Sequence, residues 1–99
     1  MAGKQSAFGN KIETITLNSD YEIEVPDNYA SYLVTVTYSD QSSIFLVGFW
    51  NVITVFSPIV NNLKTISLVG TIGNKKLYLK PTTSGTSFSN VSYKYIKVS

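Results

Sequence analysis

One pair of side chains in this sequence has the spacing of an acid–base couple. Glu22 and Glu24 stand two residues apart in YEIEV, so on a strand they share a face, roughly 7 Å from each other. Glycoside hydrolysis asks for two carboxyls roughly 5 to 10 Å apart. The rest of that chemistry is missing, because both groups would lie on a wet face with nothing to raise one pKa above the other. The chain has no His, which removes the commonest general base, the Ser-His-Asp and Cys-His devices and the usual metal ligand. It has no Cys, hence no disulfide framework and no thiolate metal site, which argues against a small secreted eukaryotic module. No glycine pair has the spacing before Lys-Ser/Thr that a phosphate loop requires. Asp20, Glu22 and Asp27 do not follow the spacing of a calcium loop. The expectation is a non-enzyme without metal or cofactor.

Aromatic side chains are the remaining candidates for recognition. Seven of the 99 residues are Tyr, and a phenol joins an apolar ring to a hydroxyl, which suits sugar faces and subunit interfaces alike. Tyr21, Tyr32 and Tyr38 fall on apolar strand faces and are assigned to core or interface, whereas Tyr29 is read as a loop residue. Tyr78, Tyr93 and Tyr95 share strand faces with lysines and are read as pointing outward. With Trp50, at its turn, they form the candidate ligand-binding set. The plainer reading of each is a strand-face aromatic that covers its neighbours.

Charge narrows the partners. Charged residues make up 14% of the chain, against roughly 25% in typical soluble domains, so the polar surface is built mainly from Ser, Thr, Asn and Tyr. Such a surface suits a protein that meets sugars, other subunits or a harsh exterior. All six acids precede residue 41 beside two lysines, a net of −4, and six lysines follow it, a net of +6. The chain lacks Arg, the best-suited residue for forked recognition of phosphate and guanine, so nucleic acid is not an expected partner. Strands from the two halves are expected to lie side by side with complementary charges.

The elements that must position these residues are strands. Residues 1–10 are small and polar and are read as a flexible lead-in or neck, without the apolar stretch of a signal peptide. The chain is thus expected to be made inside a cell, or to be a fragment of something longer. KIETITL and YEIEV follow, the second ending at Pro26. SYLVTVTY alternates Tyr32, Val34, Val36 and Tyr38 against Leu33, Thr35 and Thr37. A turn at Ser39–Ser42 leads on, and after Asn61-Asn62 come a long NLKTISLVGTI strand, a Gly73-Asn74 turn, KKLYLK, a polar loop and a last strand from Phe88 to Val98. Gly70 is read as a bulge or a close backbone approach. Asn90-Val91-Ser92 matches a glycosylation sequon, taken as chance where no signal peptide is present. About eight strands at short spacing predict a single all-β domain over residues 11–99, an antiparallel β-sandwich of jelly-roll-like type.

Ser43–Val60 is the most apolar stretch. It is about as long as a transmembrane helix, but Asn51, Thr54, Ser57, Pro58 and its β-branched bias favour strands, so no membrane insertion is expected. A reversal at Gly48–Asn51 would divide it into SIFLV and VITVF, the second stopped by Ser57-Pro58. Two strands apolar on both faces exceed what one small sandwich can bury. Some of Ile44, Leu46, Phe49, Ile53, Val55, Phe56 and Ile59 are therefore expected at an interface between copies of the chain.

YLVTVTY, NKKLYLKPTTSGTSF and the closing SYKYIKV, set in a Cys-free chain rich in Ser, Thr, Asn and Tyr, resemble the C-terminal head domains of tailed-bacteriophage tail fibres and baseplate receptor-binding proteins. The likeness covers roughly residues 11–99 and is one of style and order, without a diagnostic motif. It implies a homotrimeric jelly-roll-like tip on the virion, made in the host cytoplasm, that binds carbohydrate or another receptor on a bacterial surface. Such heads usually follow a fibrous shaft. The short MAGKQSAFGN departs from that and leaves open a fragment, a small accessory fibre or a capsid-decoration protein. The family has no fixed binding residues to carry over. Two functions stand: a receptor-binding tip, and a purely structural virion protein such as a decoration, neck or trimerisation module.

Overall fold

The alternation in SYLVTVTY sets the frame of the fold. Tyr32, Val34 and Val36 are buried, while Leu33, Thr35 and Thr37 between them are only half-covered. In the computed structural model, which describes residues 10–83 and 85–99, the chain forms eight strands: β1 (Asn10–Leu17), β2 (Tyr21–Ile23), β3 (Tyr29–Tyr38), β4 (Gln41–Trp50), β5 (Ile53–Asn61), β6 (Ile66–Gly70), β7 (Leu77–Pro81) and β8 (Phe88–Lys97). All pairings are antiparallel. The protein is an all-β sandwich of two sheets, with strand orders β1-β8-β3-β4-β5 and β2-β7-β6. The chain wraps so that β1 lies beside β8 in one sheet and β2 beside β7 in the other. The uneven split comes from the β3-β4-β5 meander, which keeps all three strands in the first sheet. The expected lead-in lies outside the described residues except for Asn10, which opens β1.

Turn chemistry explains where the strands reverse. β3 and β4 join through Ser39-Asp40, since Tyr38 pairs with Gln41, and Ser39 takes the positive φ (59°) that a tight hairpin demands. β4 and β5 reverse at Asn51-Val52, where Asn51 has φ 67°, and not across Gly48–Asn51. Gly48 lies inside β4, opposite Ser31 and Val55.

Ser57-Pro58 does not end the next strand, as the sequence suggested. β5 runs to Asn61 because it is an edge strand with an unpaired side, where a residue lacking N–H does no harm. Nor is β5 buried on both faces: Thr54, Val55, Ser57, Pro58 and Ile59 are exposed. The predicted long NLKTISLVGTI strand shortens to β6. Leu63, just before it, is buried and its N–H donates to the buried Ser43 Oγ at 3.0 Å.

The core lies between the sheets. Tyr32 meets Phe49 and Tyr95 edge-on, with ring centroids 6.0 and 5.5 Å apart. Val34, Val47 and Val91 from the larger sheet and Leu77 and Leu79 from the smaller have no exposed surface. Gly70 provides the close approach expected of it: a Cβ there would stand 2.7 Å from Leu77 Cδ2 and 3.0 Å from Ile53 Cδ1.

The two halves of the chain also meet by charge. Glu22 pairs with Lys76 and Asp20 with Lys80, each at 3.6 Å, and Asp27 with Lys97 at 3.0 Å. Glu13 ties the sheets together at their margin, where its Oε1 accepts hydrogen bonds from the hydroxyls of Tyr21 on β2 and Tyr93 on β8.

Gly70→Ala should lower unfolding free energy by about 1–3 kcal/mol, because a methyl group must displace packed side chains. Urea denaturation of the variant beside the native protein reads this out.

Candidate ligand-binding site

Three connections converge at one end of the sandwich: the β2–β3 loop, the β4–β5 turn and the residues that follow β8. Asp27 organises them. Its Oδ1 accepts the Tyr29 N–H at 2.8 Å and its Oδ2 accepts from Lys97 Nζ at 3.0 Å. Its main chain both donates to and accepts from the Tyr32 hydroxyl, at 3.0 and 3.2 Å. The Asn51 N–H donates to Asn28 O at 2.8 Å, joining the turn to the loop. Val98 N–H donates to Ser31 O at 2.8 Å, joining the chain's last residues to β3.

Two aromatic residues stand on this braced rim. Tyr29 and Trp50 are direct cross-strand partners, which sets their Cβ atoms about 4.5–5.5 Å apart. They are 65% and 48% exposed, unusual for rings of this size. The Trp50 indole lies against Gly48, where a Cβ would stand 3.2 Å from Trp50 Cζ3. The missing side chain leaves the indole a flat seat. Asn28 and Asn51, both exposed, flank the rings and supply amide donors and acceptors. Asn28 also borders a shallow groove of about 250 Å³ lined by Glu22, Ile23, Glu24, Val25, Lys75 and Lys76.

The four residues singled out as ligand contacts do not gather into one site. Trp50 is on this rim. Tyr78 is half-buried on β7 between Glu22 and Val69, on the outer side of the smaller sheet. Tyr93 and Tyr95 are each 2% exposed and point into the core, which corrects the outward reading. Lys97, which suggested a wet face for them, lies at the strand end and reaches Asp27. Burial raises the pKa of both phenols, and Glu13 raises that of Tyr93 further.

Of the residues assigned to an interface, Phe49 and Ile53 are core, 1% and 0% exposed. Phe56 is half-buried and tilts against Phe45 at 5.7 Å. Ile44 and Leu46 are half-covered, and Val55 and Ile59 are exposed. Tyr29 was missed, since a loop reading hid its place as the first residue of β3. The alternation Tyr29, Ser31, Leu33 carries that signal.

Glu22 and Glu24 are both exposed, and Glu22 faces Lys76. Among the described residues no group of three acidic side chains is placed to hold a metal ion, and no helix is long and apolar enough to cross a membrane. Comparison with protein-family models, with curated proteins and with solved structures finds no match to this chain.

Two carboxyls are held below the usual range. For Asp27 the cause is first the Tyr29 N–H and then Lys97. For Glu13 it is the Tyr93 hydroxyl, then that of Tyr21, with Lys11 adding to both. A lowered folded-state pKa gives stability that is complete above the unfolded value of about 4 and is lost as pH falls through the folded value. Unfolding free energy should therefore fall as the solution is acidified below about pH 4. Glu13→Gln should be less stable at neutral pH and should flatten that acid limb. Urea titrations across the pH range check both outcomes.

Proposed function

We propose that this protein is a non-enzymatic receptor-binding domain, of the type that forms the head of a tailed-phage fibre or baseplate protein. It binds a carbohydrate or similar host-surface receptor through Tyr29 and Trp50. The observation that carries this reading is the exposed Tyr29–Trp50 pair on a rim whose backbone is hydrogen-bonded in place. The apolar C–H face of a pyranose ring lies flat on an indole, and its hydroxyls need amide and phenol partners at the ring's edge. Trp50 on its glycine seat offers the first, and Tyr29, Asn28 and Asn51 the second. Rim residues already fixed before binding lose little freedom when a ligand arrives. The solvated settings of Glu22 and Glu24 support a binding rather than a hydrolytic role. In this reading the domain acts on the virion exterior.

The second reading, a structural virion module without receptor binding, is favoured by the weakly charged outer face of the larger sheet described below. Glycan-array screening, followed by titration of the intrinsic Trp50 fluorescence, separates the two. Trp50→Ala and Tyr29→Ala should each weaken binding at least about tenfold, while Tyr78→Ala leaves it unchanged. Absence of binding to glycans and to bacterial envelope extracts, or binding that survives both rim substitutions, overturns the receptor-binding reading.

A further inference from the structure

The two outer faces of the sandwich differ in kind. That of the smaller sheet is built for water, with Glu22, Tyr78, Lys80 and Ser67 among its residues. On the larger sheet the register lines up apolar residues facing outward. Ile96, Leu33 and Leu46 form one row across β8, β3 and β4, and Ile44 and Val60 continue the next row onto β5. Val55 stands opposite Gly48, under the rim, and Ile12 is 74% exposed at the β1 edge. Between these lie Ser and Thr. Lys94 is the one charged side chain among the described outward positions of this sheet. An antiparallel sheet with one face in water normally sets polar residues there.

We infer that a second copy of this chain covers the outer face of the five-stranded sheet. Three observations select that occupant. First, five strands about 4.8 Å apart, rising about 3.3 Å per residue over the roughly eight residues short of the Tyr29–Trp50 pair, make a face of roughly 630 Å². Stable interfaces start at about that area from each partner. Second, a face with a single lysine gives a strongly charged partner nothing to pair with. A mixture of aliphatic and hydroxyl side chains is complementary to itself, as an interface between identical copies must be. Third, the sheet's edges are guarded and its face is not. β5 has Pro58 and two register shifts, and β1 carries Lys11 and Glu13 and has one register shift, between Ile15 and Leu17. Such features block pairing by strand addition. Copies thus stack face to face, as sheets do in a sandwich. Lys94 extends its ammonium past the rim of the contact while its stem packs.

Tyr29 and Trp50 share this outward face but stand at its end, whereas Leu33, Ile44 and Leu46 occupy its middle, so a contact centred on those three leaves the aromatic pair at its margin. Sedimentation equilibrium at about 10 µM should give a mass of two or more copies, and Leu46→Glu should shift association at least about tenfold toward monomer. Circular dichroism verifies that the variant keeps its fold. As a second route, the chain contains no Cys, so Thr35→Cys introduces a single thiol on the outer face, beside Ile44 and Lys94. It should be joined to its mate by a short bis-maleimide, whereas Thr83→Cys, on the β7–β8 loop, should not. A monomer at about 100 µM, association unchanged by Leu46→Glu, or a monomer that instead binds lipid vesicles through this face overturns the inference.

Discussion

At Tyr32 the inside of the sandwich is tied to its rim. The ring has no exposed surface and meets Phe49 and Tyr95 edge-on, so its position is set by the core. Its hydroxyl engages both the N–H and the carbonyl of Asp27. The Asp27 carboxylate in turn accepts from the Tyr29 backbone N–H and from the Lys97 ammonium. One buried phenol thereby fixes the loop that presents an exposed aromatic. The design follows from the two ends of the side chain, because a buried hydroxyl must find partners and the nearest groups in need of them are those of the loop.

Much of this was legible where the period of two was clean. The alternation of β3, the hairpin after it, the close approach at Gly70 and the ion pairing between the chain's two halves could all be read from residue types. Where the sequence misled, a local feature competed with a longer-range one. Lys97 suggested a wet face for Tyr93 and Tyr95, although a lysine at a strand end says little about the strand's interior. Pro58 looked like a stop, and whether proline stops a strand depends on that strand's place in the sheet, which no local window contains. Phe49 and Ile53 could not be told from interface residues because their stretch is apolar throughout, so its register was silent. Tyr29 acquires its meaning only from its pairing with Trp50, twenty-one residues away in the chain.

The two outer faces show how so small a chain divides its tasks. Charge is concentrated on and around the smaller sheet, where Glu22, Lys76, Asp20 and Lys80 pair across β2 and β7. The outer face of the larger sheet is left almost without charge, with Lys94 its one charged residue, and its end bears the exposed aromatics. The proposed recognition at the rim would draw on Tyr29 and Trp50, and the proposed association on Leu33, Ile44 and Leu46. Neither needs the core to change.

The neighbouring positions of β1 and β8 have a consequence for how the protein is made. Glu13 and Tyr93, joined by a hydrogen bond, are 80 residues apart in sequence. The β3-β4-β5 meander needs only near neighbours and can pair as soon as it has been synthesised. β1 and β2, although made first, have no partners until β8 and β7 arrive. Closing such long loops is slow compared with hairpin formation, and folds dominated by distant pairings fold in milliseconds to seconds. Within this domain the strands that leave the ribosome earliest are thus the last to be secured, and completion of the sandwich waits for β8.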